Sequence, residues 1–161
     1  MYKIRIILDV KEDVIRTIMV NNNINLEELH TTISKSFGFN GQEMASFYLS
    51  DAEWNQGEEI PLFNMAEAGV GISMANCFLS ETLQTENDKL IYVYDFLHLW
   101  SFYVEVIEIT AIEDNNAPKI ILSVGEIPEE APEKEFKAKD TDKEDFDNSF
   151  ERLEDFDFDN Y

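Results

Sequence analysis

The 161-residue chain holds one cysteine, two histidines, four prolines and only twelve basic residues. Each scarcity removes a class of protein. A lone Cys77 closes no internal disulfide and builds no thiolate cluster, which excludes a disulfide-stapled secreted scaffold and favours a reducing, cytoplasmic setting. With His30 and His98 as the only imidazoles, no Ser-His-Asp or His-Glu-x-x-His spacing exists, so no catalytic residue, metal ligand or cofactor-binding residue is assigned. Twelve bases stand against 34 acids, a formal net charge of −22. That field repels phosphate backbones and anionic lipid; it suits a basic protein, cations or plain solubility, and charge alone does not choose among them. No apolar run approaches the roughly 20 residues a spanning helix needs. The opening Met1-Tyr2-Lys3 runs straight into a strand pattern without the layout of an export signal. Membrane and direct nucleic-acid binding are therefore not expected.

What the sequence does hold is apolar periodicity. Ile4, Ile6, Leu8 and Val10 alternate with polar neighbours, and Val14 to Val20 is β-branched, which predicts an antiparallel hairpin around Lys11-Glu12-Asp13. Asn25 and Glu28 form a capping-box signature. Leu26, Leu29, His30, Ile33 and Phe37 follow on one helical face, with Gly38 to end it. Ala45 to Leu49 reads as a short strand, Ser50 to Gly57 as a loop carrying Trp54, and Met74 to Leu83 as a short helix. Leu90 to Phe96 and Phe102 to Thr110 read as a hairpin about Leu97 to Ser101, and Lys119 to Val124 as a last strand. The fold class is thus α+β: an antiparallel or mixed sheet with one main packed helix.

From Glu126 onward the composition changes, with fifteen acids against five bases and Pro128 and Pro132 near the start. Residues 1–127 are read as the domain and 128–161 as an acidic tail. Asp140, Asp142, Glu144 and Glu151 fall at calcium-loop positions, but Asp145 occupies the place where the tight turn needs glycine, so the match is compositional. Phe146, Phe150 and Leu153 are spaced for one helical face and are followed by Phe156 and Phe158. This stripe is a candidate protein-docking segment, the alternative being a solubilising tail or one that packs on its own domain.

The order of elements, together with Tyr2-Lys3-Ile4-Arg5-Ile6, Ile15-Arg16, Leu26-Glu27-Glu28-Leu29-His30 and Tyr92-Val93-Tyr94-Asp95-Phe96 with Trp100, resembles the plasmid pRiA4b ORF-3-like family, also known as insertion-element passenger (TnpR-type) proteins. The resemblance implies a fold related to the ubiquitin-like β-grasp and marks His30, Tyr94, Asp95, Phe96 and Trp100 as motif positions. It implies no established reaction. Where the family continues with Gly-Asp and places a His two residues after the Trp, this chain has Leu97-His98 and Phe102, which alters any polar site there. The later proline-acid stretch is echoed only by Pro128-Glu129-Glu130, between Ile127 and Ala131-Pro132. Three functions are compatible with these readings. The first is a non-catalytic interaction or adaptor domain. The second is a hydrolase or nuclease-like enzyme holding a divalent ion on Asp95 with Glu105 or Glu108, and the third an acidic mimic of nucleic acid.

Overall fold

The computed structural model describes residues 1–64 and 71–132. Its elements are β1 (Tyr2–Leu8), β2 (Ile15–Val20), α1 (Leu26–Ser36), β3 (Ala45–Ser50), β4 (Gln56–Pro61), α2 (Leu79–Thr82), β5 (Lys89–Tyr94), β6 (Trp100–Ile109) and β7 (Lys119–Val124). Among the described residues seven strands make one sheet in the order β4-β3-β5-β6-β1-β2-β7, and every pairing is antiparallel. The α+β class with one main helix is what the alternation predicts, and the open choice between antiparallel and mixed resolves to antiparallel.

The register explains the core. Phe47, Tyr92, Phe102 and Leu8 stand directly opposite one another on four neighbouring strands, so one row of large side chains crosses the sheet on a single face. Helix α1 buries Leu26, Leu29 and Ile33 completely in the same core. Each such side chain contributes on the order of 2 kcal/mol by leaving water. The helix starts where expected: the Asn25 side chain accepts from the Glu28 amide at 2.8 Å, and the Glu28 carboxylate accepts from the Asn25 amide at 3.1 Å. It ends at Phe37, followed by Gly38 at φ +93°, a left-handed conformation that favours glycine. The opposite face of the sheet is polar along one row, where Glu105 accepts from Arg5 at 2.8 Å and from Lys89 at 3.2 Å. Burial raises the Glu105 carboxyl, but the hydrogen bonds from Arg5 and Lys89 outweigh it and hold the group below its ordinary value.

Three expectations are corrected. Ser50 to Gly57 is not all loop, because Gln56 and Gly57 begin β4. Of the six residues of β4 only Ile60 is buried, so this edge strand is fixed by pairing with β3 rather than by its own pattern. Met74 to Leu83 is not one helix. A 3-10 turn at Met74–Asn76 and the four-residue α2 are separated by Cys77 and Phe78, whose backbone is drawn into bonds with the entry to α1. There Leu26 N donates to Cys77 O at 2.8 Å and Leu79 N to Ile24 O at 2.9 Å. Finally, the strand read as Leu90 to Phe96 stops at Tyr94, since Asp95 takes φ +67°, and its partner begins at Trp100, two residues before Phe102.

Beyond β7 the chain turns at Gly125, φ +76°, where a Cβ would strike the Asp13 carbonyl oxygen; Ile127 and Ala131 then pack against the core. Phe146, Phe150, Leu153, Phe156 and Phe158, with the calcium-loop positions from Asp140 to Glu151, lie outside the described residues. Among the described residues no helix is long and apolar enough to cross a membrane.

Candidate functional site

The motif positions come from three elements and the turn between two of them. His30 lies on α1, Tyr94 ends β5 and Trp100 opens β6, where the last register pair, Tyr94 with Trp100, sets the two aromatics side by side. The loop after α1 closes over them. Phe39 packs at 4.7 Å from the Tyr94 ring and 5.4 Å from Trp100, and the Tyr94 hydroxyl donates to Asn40 Oδ1 and accepts from the Gly41 amide, both at 3.1 Å. Within the core, His30 Nδ1 and the Tyr92 hydroxyl lie 2.6 Å apart. Burial pushes the His30 imidazolium down from its ordinary value, against a smaller opposing pull from the Gly41 backbone, and burial pushes the Tyr92 phenol well up. The histidine is 2% exposed. A ring so enclosed meets no substrate; it joins helix to sheet.

Asp95 organises the β5–β6 turn. Its amide donates to Met44 O at 2.7 Å, and its carbonyl accepts from the amides of His98 and Leu99. Its carboxylate accepts from the Leu97 amide at 3.2 Å and meets His98 Nδ1 at 2.7 Å. Asp95 and Leu99 both hold left-handed φ, so the turn is strained and the carboxylate that secures it is committed. Phe96 and Leu97 are 44% and 85% exposed. Of the five motif positions, His30, Tyr94 and Trp100 therefore meet in one aromatic hub, Asp95 holds its rim, and Phe96 stands apart.

The divalent-ion arrangement does not assemble. Glu105 faces Lys89 in register at the far end of the hairpin from Asp95, and Glu108 lies 3.5 Å from Lys3. Among the described residues no three His, Cys, Asp or Glu side chains converge as a metal would require. Trp100 is a core residue, whereas Trp54 packs against Tyr103 at 5.0 Å, with the Lys89 ammonium 5.2 Å from its ring.

Sequence reasoning missed two features. Ser46, Tyr48 and Glu59 form a polar cluster on β3 and β4, with Ser46 Oγ donating to Glu59 at 2.5 Å and the Tyr48 phenol pushed up to about 12 by burial and by the Glu59 charge. Ser46 is fully buried, which closes its hydroxyl to a substrate. The second is a groove along α1 and β7. One part, of about 400 Å³, runs past Val20, Ile24 and Pro118; it continues into a part of about 240 Å³ past Lys35, Lys119 and Ile120. The signals for it are an apolar strand and a polar helix face, and only the sheet order places the two together.

Fold and hub together define a small α+β domain whose motif residues serve packing and turn formation. The chain belongs to the plasmid pRiA4b ORF-3-like protein family, whose model matches residues 1–157. It is also similar to the crystal structure of MM3350, a protein of unknown function from Methanosarcina mazei Go1. That likeness has a TM-score of 0.61 and 19% identity over 76% of this chain and 68% of that one, and it bears on the fold alone. No curated protein matches the chain.

Proposed function

We propose that this protein is a non-catalytic interaction or adaptor domain of β-grasp-related layering, acting in the cytoplasm, whose residues 1–127 present a binding surface and whose acidic residues 128–161 add a second contact. The observation that supports this reading is β7. All six of its residues are exposed, and Ile120, Ile121, Leu122 and Val124 are large and apolar, a composition that belongs to a strand covered on both faces. It is also the last strand of the sheet among the described residues, and an edge of this kind offers backbone donors and acceptors to a partner's strand. The placements of Asp95 and Glu105 weigh against the metal-dependent enzyme.

The register puts Leu122 opposite Thr17, itself opposite Arg5, on the sheet face away from α1. Leu122→Glu places a charge on that exposed face without touching the core. Full-length chain and variant serve as bait in the native cell extract, and the captured partner is then rebound in purified form. Binding should fall at least about tenfold, equivalent to roughly 1.4 kcal/mol. Equal binding by both, with unchanged thermal melting, would show that β7 is not the surface.

A further inference from the structure

The end of the α1–β7 groove nearest Ser36 has a chemistry unlike the rest of the chain. Lys35, Lys119, Thr31, Thr32, Pro118 and Ile120 line it, with no acidic side chain among the described residues that do so. Two of twelve bases thus meet in one place on a chain with 34 acids. Lys119 lies 2.6 Å from Asp114, while Lys35 has no ion-pair partner among the described residues. Beside these charges Ile120 presents apolar surface, 48% exposed. A ligand suited to such a groove is acidic and carries large apolar anchors.

We propose that the groove seats the chain's own acidic aromatic segment, with Phe146, Phe150 and Leu153 as anchors and the flanking carboxylates directed to Lys35 and Lys119. The sequence of that segment answers both properties of the groove: acids throughout, and three anchors spaced for one face of a helix. Reach allows it. The core contacts of Ile127 and Ala131 fix where the chain leaves the domain, and the roughly 14 residues from Pro132 to Phe146 extend on the order of 45 Å, enough to cross a domain of this size. The family match also runs through residue 157, across this segment. Seated there, it covers the Ile120 side of β7 and leaves Leu122 and Val124 open on the other face. The β7 surface of the preceding section and this seat therefore stand or fall separately, whereas a seated segment is not available as the tail's contact with a partner until it leaves the groove.

The test uses the full chain with Cys77→Ser and Ser149→Cys, a nitroxide label on the thiol at position 149, and amide signals read by NMR. The amides of Thr31, Thr32, Lys35 and Ile120 should lose more than half their intensity, while Glu58 on β4, at the far edge of the sheet, keeps its own. Adding Phe146→Asp and Phe150→Asp should restore the groove signals, and Lys35→Glu should restore them in part. Undiminished groove signals overturn the proposal, as does broadening indifferent to all three changes. Mixing nitroxide-bearing chains with isotope-enriched chains that carry no nitroxide separates one molecule from two. Broadening that passes to the enriched chains assigns the groove to a second copy and overturns the seat within the chain.

Discussion

Arg16→Ala is expected to lower the unfolding free energy by about 3 kcal/mol, on the order of 10 °C in Tm for a chain of this size. Arg16 is 5% exposed and pairs with no carboxylate among the described residues. Its guanidinium instead donates Nε to Ser36 O at 2.8 Å and one terminal nitrogen to Ile15 O, Val124 O and Gly125 O at 2.9, 3.0 and 3.1 Å. A single side chain thus satisfies carbonyls at the end of α1 and at the end of β7. The cation also stands at the negative end of the helix dipole and 4.9 Å from the Phe37 ring centroid, which offsets part of the cost of burying it. Removing it leaves the buried Ser36 carbonyl without its donor, while the carbonyls of Ile15, Val124 and Gly125 are only part-buried and can turn to water; the loss at Ser36 exceeds that of the packing alone. Arg16→Met separates the two effects because it fills most of the volume and donates nothing. It should lose nearly as much as alanine in urea melts, with Arg16→Lys between them. Hydrogen exchange of the β7 amides should accelerate in step. A methionine variant as stable as the parent would show that the guanidinium contributes only bulk.

The arginine also marks the limit of what the sequence makes legible. Strands β1, β5 and β6 follow from alternation, β2 from a β-branched run, β3 and β7 from short apolar runs, and helix α1 from apolar spacing and the Asn25–Glu28 box, because each of these signals lies within a few residues. β4 carries no such signal, and the split between the 3-10 turn and α2 is imposed by a bridge from Asn25 to Phe78. The candidate site divides in the same way. His30, Tyr94, Asp95 and Trp100 stand out as positions, but their roles depend on contacts such as His30 with Tyr92, 62 residues apart, which no local pattern encodes. Burial of a charge inside a β-branched strand, as at Arg16, is equally invisible until α1 and β7 are placed on either side of it.

Stability should decline as pH falls below about 6.5, the ordinary histidine value, with a slope of up to about 1.4 kcal/mol per pH unit attributable to His30. The sign follows from burial. Native His30 stays neutral at pH values where the unfolded chain's imidazole has taken a proton, so the unfolded state binds more protons and gains on acidification. The contribution is complete above 6.5 and is lost between that value and the depressed native one. Glu105 acts in a different window, because its carboxyl is held below 4.5 and its share is lost only in stronger acid. His30→Gln should therefore flatten the profile between neutral pH and the onset of carboxylate titration. Tyr92→Phe should cost about 2 kcal/mol near neutral pH by leaving His30 Nδ1 buried without its partner. The variant should also weaken the join between α1 and β5, read as faster exchange of the amides near Tyr92. Urea melts of the parent and the two variants, taken in small steps from mildly alkaline to mildly acidic pH, decide the matter. A slope that survives His30→Gln would move the proton uptake to another group and reduce His30 to a packing residue.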